Sequence, residues 1–148
     1  MGRPSLRSQP GRQAAQGTVW PGKTYFPDFH AKKTTDWWHY HVDELWQTYK
    51  FDGLWVDMNE PASFEDMDCP ENSINYPEWT PKLSTKWLGG KTVCPSYSHN
   101  DNIKHRDVHN LYGLDHAMAS NIAMSKIMPN LRPFILSRSV RGDTLLEN

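Results

Sequence analysis

The sequence predicts an α/β fold: an arc of a (β/α)8 TIM barrel, with about three strands, two helices and one long inserted loop. Three observations predict it. Short apolar runs alternate with longer segments of helical period, which argues for parallel strands with helices packed outside them. Trp20, Asp57 and Arg138 each fall at the C-terminal end of such a run, the rim on which barrel enzymes build their sites. No Gly-rich phosphate turn follows any of the runs, which argues against an open doubly wound sheet. A closed barrel takes ~250 residues, so 148 residues supply only part of the circle.

The elements follow in order. Residues 1–17 read as a flexible, disordered basic tail outside the domain. Thr18-Val19-Trp20 is a short strand stopped by Pro21-Gly22. A helix is expected from Asp36 to Lys50, capped by Thr35 or Asp36, with Trp38, Val42, Leu45, Trp46 and Tyr49 as its apolar stripe. Asp52-Gly53 breaks the chain, and Leu54-Trp55-Val56-Asp57 reads as a buried strand. Residues 59–106 carry Pro61, Pro70, Pro77, Pro81 and Pro95 and no sustained period. A loop of that length inside a compact domain is usually functional. The second helix is expected from Asp107 to Met128, burying Leu111, Leu114, Met118 and Ile122, with Met118, Met124 and Met128 filling core gaps. Phe134-Ile135-Leu136-Ser137 makes the last strand, with Arg138 at its end.

Composition narrows the function. A net charge of −1 gives no footprint for nucleic acid or an anionic membrane. No run approaches the ~20 apolar residues of a membrane span, and 1–17 has no apolar core of a signal peptide. Seven Trp residues suit either an aromatic core or the flat apolar faces of sugars. His39 and His41, two apart on a helix, do not share a face. No metal and no cofactor is expected.

The segment Gly53–Pro61 places two carboxylates, an amide and an indole at the mouth of a strand. Glycoside hydrolysis needs a carboxylate at the anomeric carbon and a proton donor at the leaving oxygen. The residues by themselves do not choose between Asp57 and Glu60, nor between chemistry and a capped turn.

Trp55-Val56-Asp57-Met58-Asn59-Glu60-Pro61 resembles the signature of glycoside hydrolase family 31. Val19-Trp20-Pro21-Gly22 with Phe26-Pro27-Asp28-Phe29, Val108-His109-Asn110-Leu111-Tyr112-Gly113, and Arg132–Ser139 are similar to three further family segments, in the family's order. The resemblance implies a partial catalytic barrel over 18–139, with Asp57 as nucleophile, Glu60 as a supporting partner, and Trp20, Trp55, Met58 and Arg138 lining a glucose subsite. It implies a retaining α-glucosidase acting on oligosaccharide or glucan, and a lysosomal or secretory setting. Cys69 and Cys94 resemble the disulfide that closes the long loop in the lysosomal and intestinal branch, where such a bond stabilises by roughly 3–4 kcal/mol in the chain-entropy model. A fragment of a glycan-trimming ER glucosidase and a non-catalytic carbohydrate-binding relic are the alternatives.

The departures are as specific. The family continues from Ser-Arg-Ser into a Gly-rich turn and a His-Trp-x-Gly-Asp segment that holds the acid/base. Here Ser139 leads into a divergent tail, 140–148, in which Asp143 does not match that acid. The expectation is a truncated piece that is inactive by itself.

Overall fold

The computed structural model describes residues 14–140. Among the described residues the chain divides into two compact units, one of residues 14–28 and 61–109, the other of 29–60 and 110–140.

The first unit opens with a hairpin. β1 (Gln16–Val19) pairs antiparallel with β2 (Gly22–Tyr25), in the register Gln16 to Tyr25 and Val19 to Gly22. The strand expected at Thr18–Trp20 is therefore not a parallel barrel strand, and Trp20 stands in a hairpin turn. Pro21 fixes φ for the turn and Gly22 adopts φ +101°, a conformation that glycine takes at no steric cost. The tail expectation is also shifted: Gln16 and Gly17 belong to β1, and a Cβ on Gly17 would meet Phe26 at 2.7 Å and Met67 at 2.8 Å. The rest of that tail, 1–13, and the divergent tail from 141 lie outside the described residues.

The long loop is cross-tied rather than structureless. Cys69 and Cys94 form a disulfide. Asn75, wholly buried, donates to the Pro70 carbonyl (2.7 Å) and Ser96 Oγ (2.9 Å) and accepts from the Ser96 N–H (2.8 Å). Thr92 Oγ1 donates to the Pro61 carbonyl at 2.7 Å, and the Phe64 N–H donates to the Thr18 carbonyl at 2.8 Å. The segment ends in α2 (His105–Val108) and a 3-10 turn (His109–Leu111).

The second unit holds α1 (Lys32–Tyr49), β3 (Gly53–Val56), α3 (Tyr112–Ile127) and β4 (Phe134–Ser137). β3 and β4 pair in parallel, Gly53 beside Phe134 and Val56 beside Ser137. Period-two alternation puts Leu54, Val56 and Ile135 on one face. There Val42, Ala123, Met124 and Met128 form the core, with Trp38, Trp46, Phe51, Leu54, Ile127 and Ile135 packed around it. The opposite face carries Trp55, Phe134 and Leu136, which are 64%, 65% and 49% exposed. Among the described residues the expected three-strand arc is thus two parallel strands plus a separate hairpin, and no closed barrel forms.

Both helices differ from expectation. α1 begins at Lys32, not Asp36, with no side-chain cap; Thr34, wholly buried, anchors the first turn, so packing sets the start. Of its expected stripe, Val42 is buried and Trp38 and Trp46 pack on the core, whereas Leu45 and Tyr49 are exposed. α3 buries Gly113, Ala117, Ser120, Ala123 and Met124 rather than the expected Met118 and Ile122, which are exposed. Small residues let α1 approach closely: Trp38 Nε1 donates to the buried Ser120 Oγ at 2.9 Å. Of the three methionines expected to fill the core, Met124 and Met128 do so and Met118 does not. No helix of the described residues is long and apolar enough to cross a membrane.

Candidate active site

Asp57 follows the last residue of β3 and Arg138 follows the last residue of β4. Since Val56 and Ser137 are register partners, the two side chains leave adjacent strand ends. Arg138 Nε donates to Glu60 Oε1 at 2.9 Å, its Nη2 donates to Glu60 Oε2 at 2.7 Å, and its Nε lies 3.3 Å from Asp57 Oδ1. The planar guanidinium forks onto one carboxylate and presents a flank to the other, a geometry that Lys cannot reproduce. Its hydrogen bonds to Glu60 first, and then the charges of Glu60 and Asp57, raise the Arg138 pKa.

This geometry separates the two carboxylates. Glu60 has both oxygens engaged by the guanidinium. Asp57 has one oxygen beside the same cation and its side chain is 32% exposed, so its carboxylate is open to an electrophile.

Met58, between them, adopts φ +56°. A non-glycine residue in that left-handed region costs on the order of 1–3 kcal/mol and persists only where its surroundings hold it. The break leaves Asp57 at the surface and buries Asn59, whose side chain is bonded to the loop after β4. Trp55 lies on the same face of β3 two residues before Asp57 and is exposed.

The predicted residues Asp57, Met58, Glu60, Trp55 and Arg138 are thus all placed in the second unit. Trp20 belongs to the first, at the hairpin turn, 81% exposed and edge-on to Phe64 at 4.8 Å between ring centroids. Cys69 and Cys94 are paired in that unit's loop. Asn59 was read in the sequence only as an amide within the motif, yet it is the most heavily bonded side chain of the site. Its place between the two carboxylates at the strand end was the available signal.

The first unit also holds a buried array that sequence reading missed. His99 Nδ1 lies 2.5 Å from Asp28 Oδ1, His99 Nε2 lies 3.1 Å from His105 Nδ1, and His105 Nε2 lies 3.0 Å from His109 Nδ1. The Asn100 N–H donates to Asp28 Oδ2 at 2.7 Å. One proton on each Nδ1 satisfies the chain, each ring donating toward Asp28. Burial, then the neighbouring His109 and His99, hold the His105 pKa well below that of an ordinary imidazole. The i, i+4 spacing of His105 and His109 was the visible hint. Among the described residues no group of His, Cys, Asp and Glu is arranged to hold a metal ion.

Residues 6–142 match the glycosyl hydrolases family 31 TIM-barrel domain. The chain belongs to glycoside hydrolase family 31. It is 46% identical over 126 residues to the lysosomal alpha-glucosidase of Bos taurus, covering 83% of this chain and 13% of that protein. It is 43% identical over 126 residues to the intestinal sucrase-isomaltase of Homo sapiens, covering 83% of this chain and 7% of that protein. A solved ER glucosidase II complex of catalytic subunit and regulatory binding domain shares its fold with a TM-score of 0.69 and 26% identity, over 96% of this chain and 14% of that one. The chain therefore spans a small part of each relative's length. The family is one of enzymes that cleave glycosidic bonds, and these relatives include α-glucosidases.

Proposed function

We propose that residues 18–139 are the nucleophile-bearing segment of a retaining α-glucosidase that removes terminal α-linked glucose from oligosaccharide or glucan. The observation that carries this is the Arg138 fork on Glu60, which leaves Asp57 as the available carboxylate at the barrel rim. Asp57 attacks the anomeric carbon, the aglycone leaves with a proton from a general acid, and water releases glucose with net retention. Glu60 and Arg138 hold the charge around Asp57, and Trp55 and Met58 flank it. The higher identity to the lysosomal and intestinal relatives, together with the Cys69–Cys94 bond, supports that branch over the ER one and a lysosomal or secretory setting.

The 148 residues include no His-Trp-x-Gly-Asp segment, so this chain alone lacks the general acid. Such an acid contributes roughly 10²–10⁴-fold to rate. The test sets the chain alone beside a graft in which residues 18–139 replace the matching stretch of the bovine lysosomal enzyme. The graft is expected to hydrolyse maltose with α-glucose as first product, and to lose turnover on Asp57→Asn. The isolated chain is expected to show none. A graft whose turnover survives Asp57→Asn, or which releases β-glucose first, would overturn the reading.

A further inference from the structure

The candidate nucleophile and the guanidinium facing it leave two different strands, so their relative placement depends on whatever holds the two strand ends in register. We propose that Asn59 is a positioning residue for the site: its amide bonds the Ser137 hydroxyl on one side of Arg138 and the Ser139 backbone on the other, and so aims the guanidinium at Asp57 and Glu60. This rests on the reading of Asp57 as nucleophile and extends it to a residue that touches no substrate.

Asn59 is only 2% exposed. Its Nδ2 donates to Ser137 Oγ at 2.7 Å, to the Ser139 carbonyl at 3.0 Å and, more weakly, to the Gly113 carbonyl at 3.3 Å. Its Oδ1 accepts from the Ser139 N–H at 3.0 Å. Toward Ser139 the amide behaves as one more residue of a β-ladder, donating to the carbonyl and accepting from the N–H of the same residue. Ser137 Oγ in turn donates to the Ser139 carbonyl at 2.9 Å. Arg138 lies between these two gripped residues, and its own N–H donates to the Val56 carbonyl at 3.3 Å. The chain here is therefore tied through the Ser137 hydroxyl before Arg138 and through the main chain at Arg138 and at Ser139, and these ties run to β3 and to the turn that follows it.

The residue type follows. An aspartate would set an anionic oxygen against two carbonyls, and a buried acceptor facing acceptors is unsatisfied. An alanine leaves the Ser139 N–H and the Ser137 hydroxyl without this partner. The left-handed Met58 is what swings Asn59 beneath the rim. Gly113 leaves room: a Cβ there would collide with the Ser139 carbonyl oxygen and come within 3.2 Å of Asn59 Nδ2.

The test uses the full chain, dilute and labelled with ¹⁵N in Arg and Trp. The Arg138 Nε–H signal reports the fork on Glu60. The Trp38 and Trp46 indole N–H signals, bonded to Ser120 Oγ and the Phe51 carbonyl, report the core independently. In Asn59→Ala the Arg138 Nε–H should exchange with water roughly tenfold faster or more, the effect of losing bonds that hold a charged donor in place, with both indole signals unmoved. In Asn59→Asp the Arg138 signal should be lost at neutral pH and return on acidification. Burial against carbonyls raises the pKa of the introduced carboxyl, and once protonated it donates again. An Arg138 signal unchanged in Asn59→Ala, or a flat pH profile in Asn59→Asp, overturns the proposal. If Asn59→Ala loses the indole signals as well, Ser137→Ala decides: faster Arg138 exchange supports the proposal and unchanged exchange overturns it. None of these readouts depends on hydrolysis, so failure of the glucosidase reading would show separately in the graft.

Discussion

Arg138 sits between two carboxylates and distinguishes them by geometry rather than by residue type. Both Glu60 oxygens accept from the guanidinium, while Asp57 meets only its flank. Arg138→Lys should therefore lower kcat in the graft by roughly tenfold or more, since a point charge cannot fork and a hydrogen bond to a charged group is worth about 1.5–3 kcal/mol. Steady-state kinetics with an aryl α-glucoside check this, and unchanged kcat would remove Arg138 from the site. A second expectation concerns His116, which stacks on Phe29 at 4.1 Å between centroids and meets the edge of Trp38 at 4.9 Å. Burial pushes its imidazole down to about 4, and His105 is lowered in the same direction. In the unfolded chain both protonate near 6.5, so below that value the unfolded state binds more protons. Stability is complete above 6.5 and falls as pH drops, His116 alone contributing a loss on the order of 3 kcal/mol by pH 4. Urea midpoints at pH 7 and pH 5 test the sign, and His116→Phe should flatten the acid limb. At this scale the sequence disclosed residue types but not partners. Asp57 and Glu60 were both visible as carboxylates near a strand end. What tells them apart is the reach of a side chain 78 positions away, which no local pattern carries.

At the scale of elements, strands were read more accurately than helices, for a physical reason. Phe134–Ser137 is the expected strand without shift, and β3 begins one residue before expectation. An apolar run cut by Arg138 on one side and Pro133 on the other has few other ways to pack. The helices were read from large apolar residues at helical spacing, which is sound when the buried face is the bulky one. In α3 the buried face is the small one, Gly113, Ala117, Ser120 and Ala123, because α1 lies close against it. Ala123→Leu should accordingly destabilise by about 1–3 kcal/mol through overpacking, whereas Met118→Lys should be close to neutral. Thermal denaturation of the two variants separates the expected face from the observed one. The first strand gives no sign of its antiparallel partner in the sequence, because Gly22–Tyr25 carries one large apolar residue, Tyr25, and forms no apolar run. The long loop owes its order to the Cys69–Cys94 bond and to Asn75. Reduction should destabilise it by roughly 3–4 kcal/mol, seen as faster hydrogen exchange across 69–94 with α1 and α3 unchanged.

For the molecule as a whole, the two-stranded sheet organises the second unit. One face of β3–β4 is covered by α1 and α3. The other presents Trp55, Phe134 and Leu136, an apolar patch of the kind that another surface covers. The family was legible because four separated segments kept its order, and Asp57 and Arg138 were legible as residues following strand ends, where β3 and β4 place them. The central claim remains Asp57 as the nucleophile. Its most direct test is to expose the graft to a 5-fluoro-α-glucosyl fluoride, whose fluoride leaves without help from an acid and whose fluorinated glycosyl-enzyme hydrolyses slowly. Peptide mapping by mass spectrometry should then find the sugar esterified to Asp57. A sugar found on Glu60, or on a carboxylate outside residues 18–139, would contradict the account.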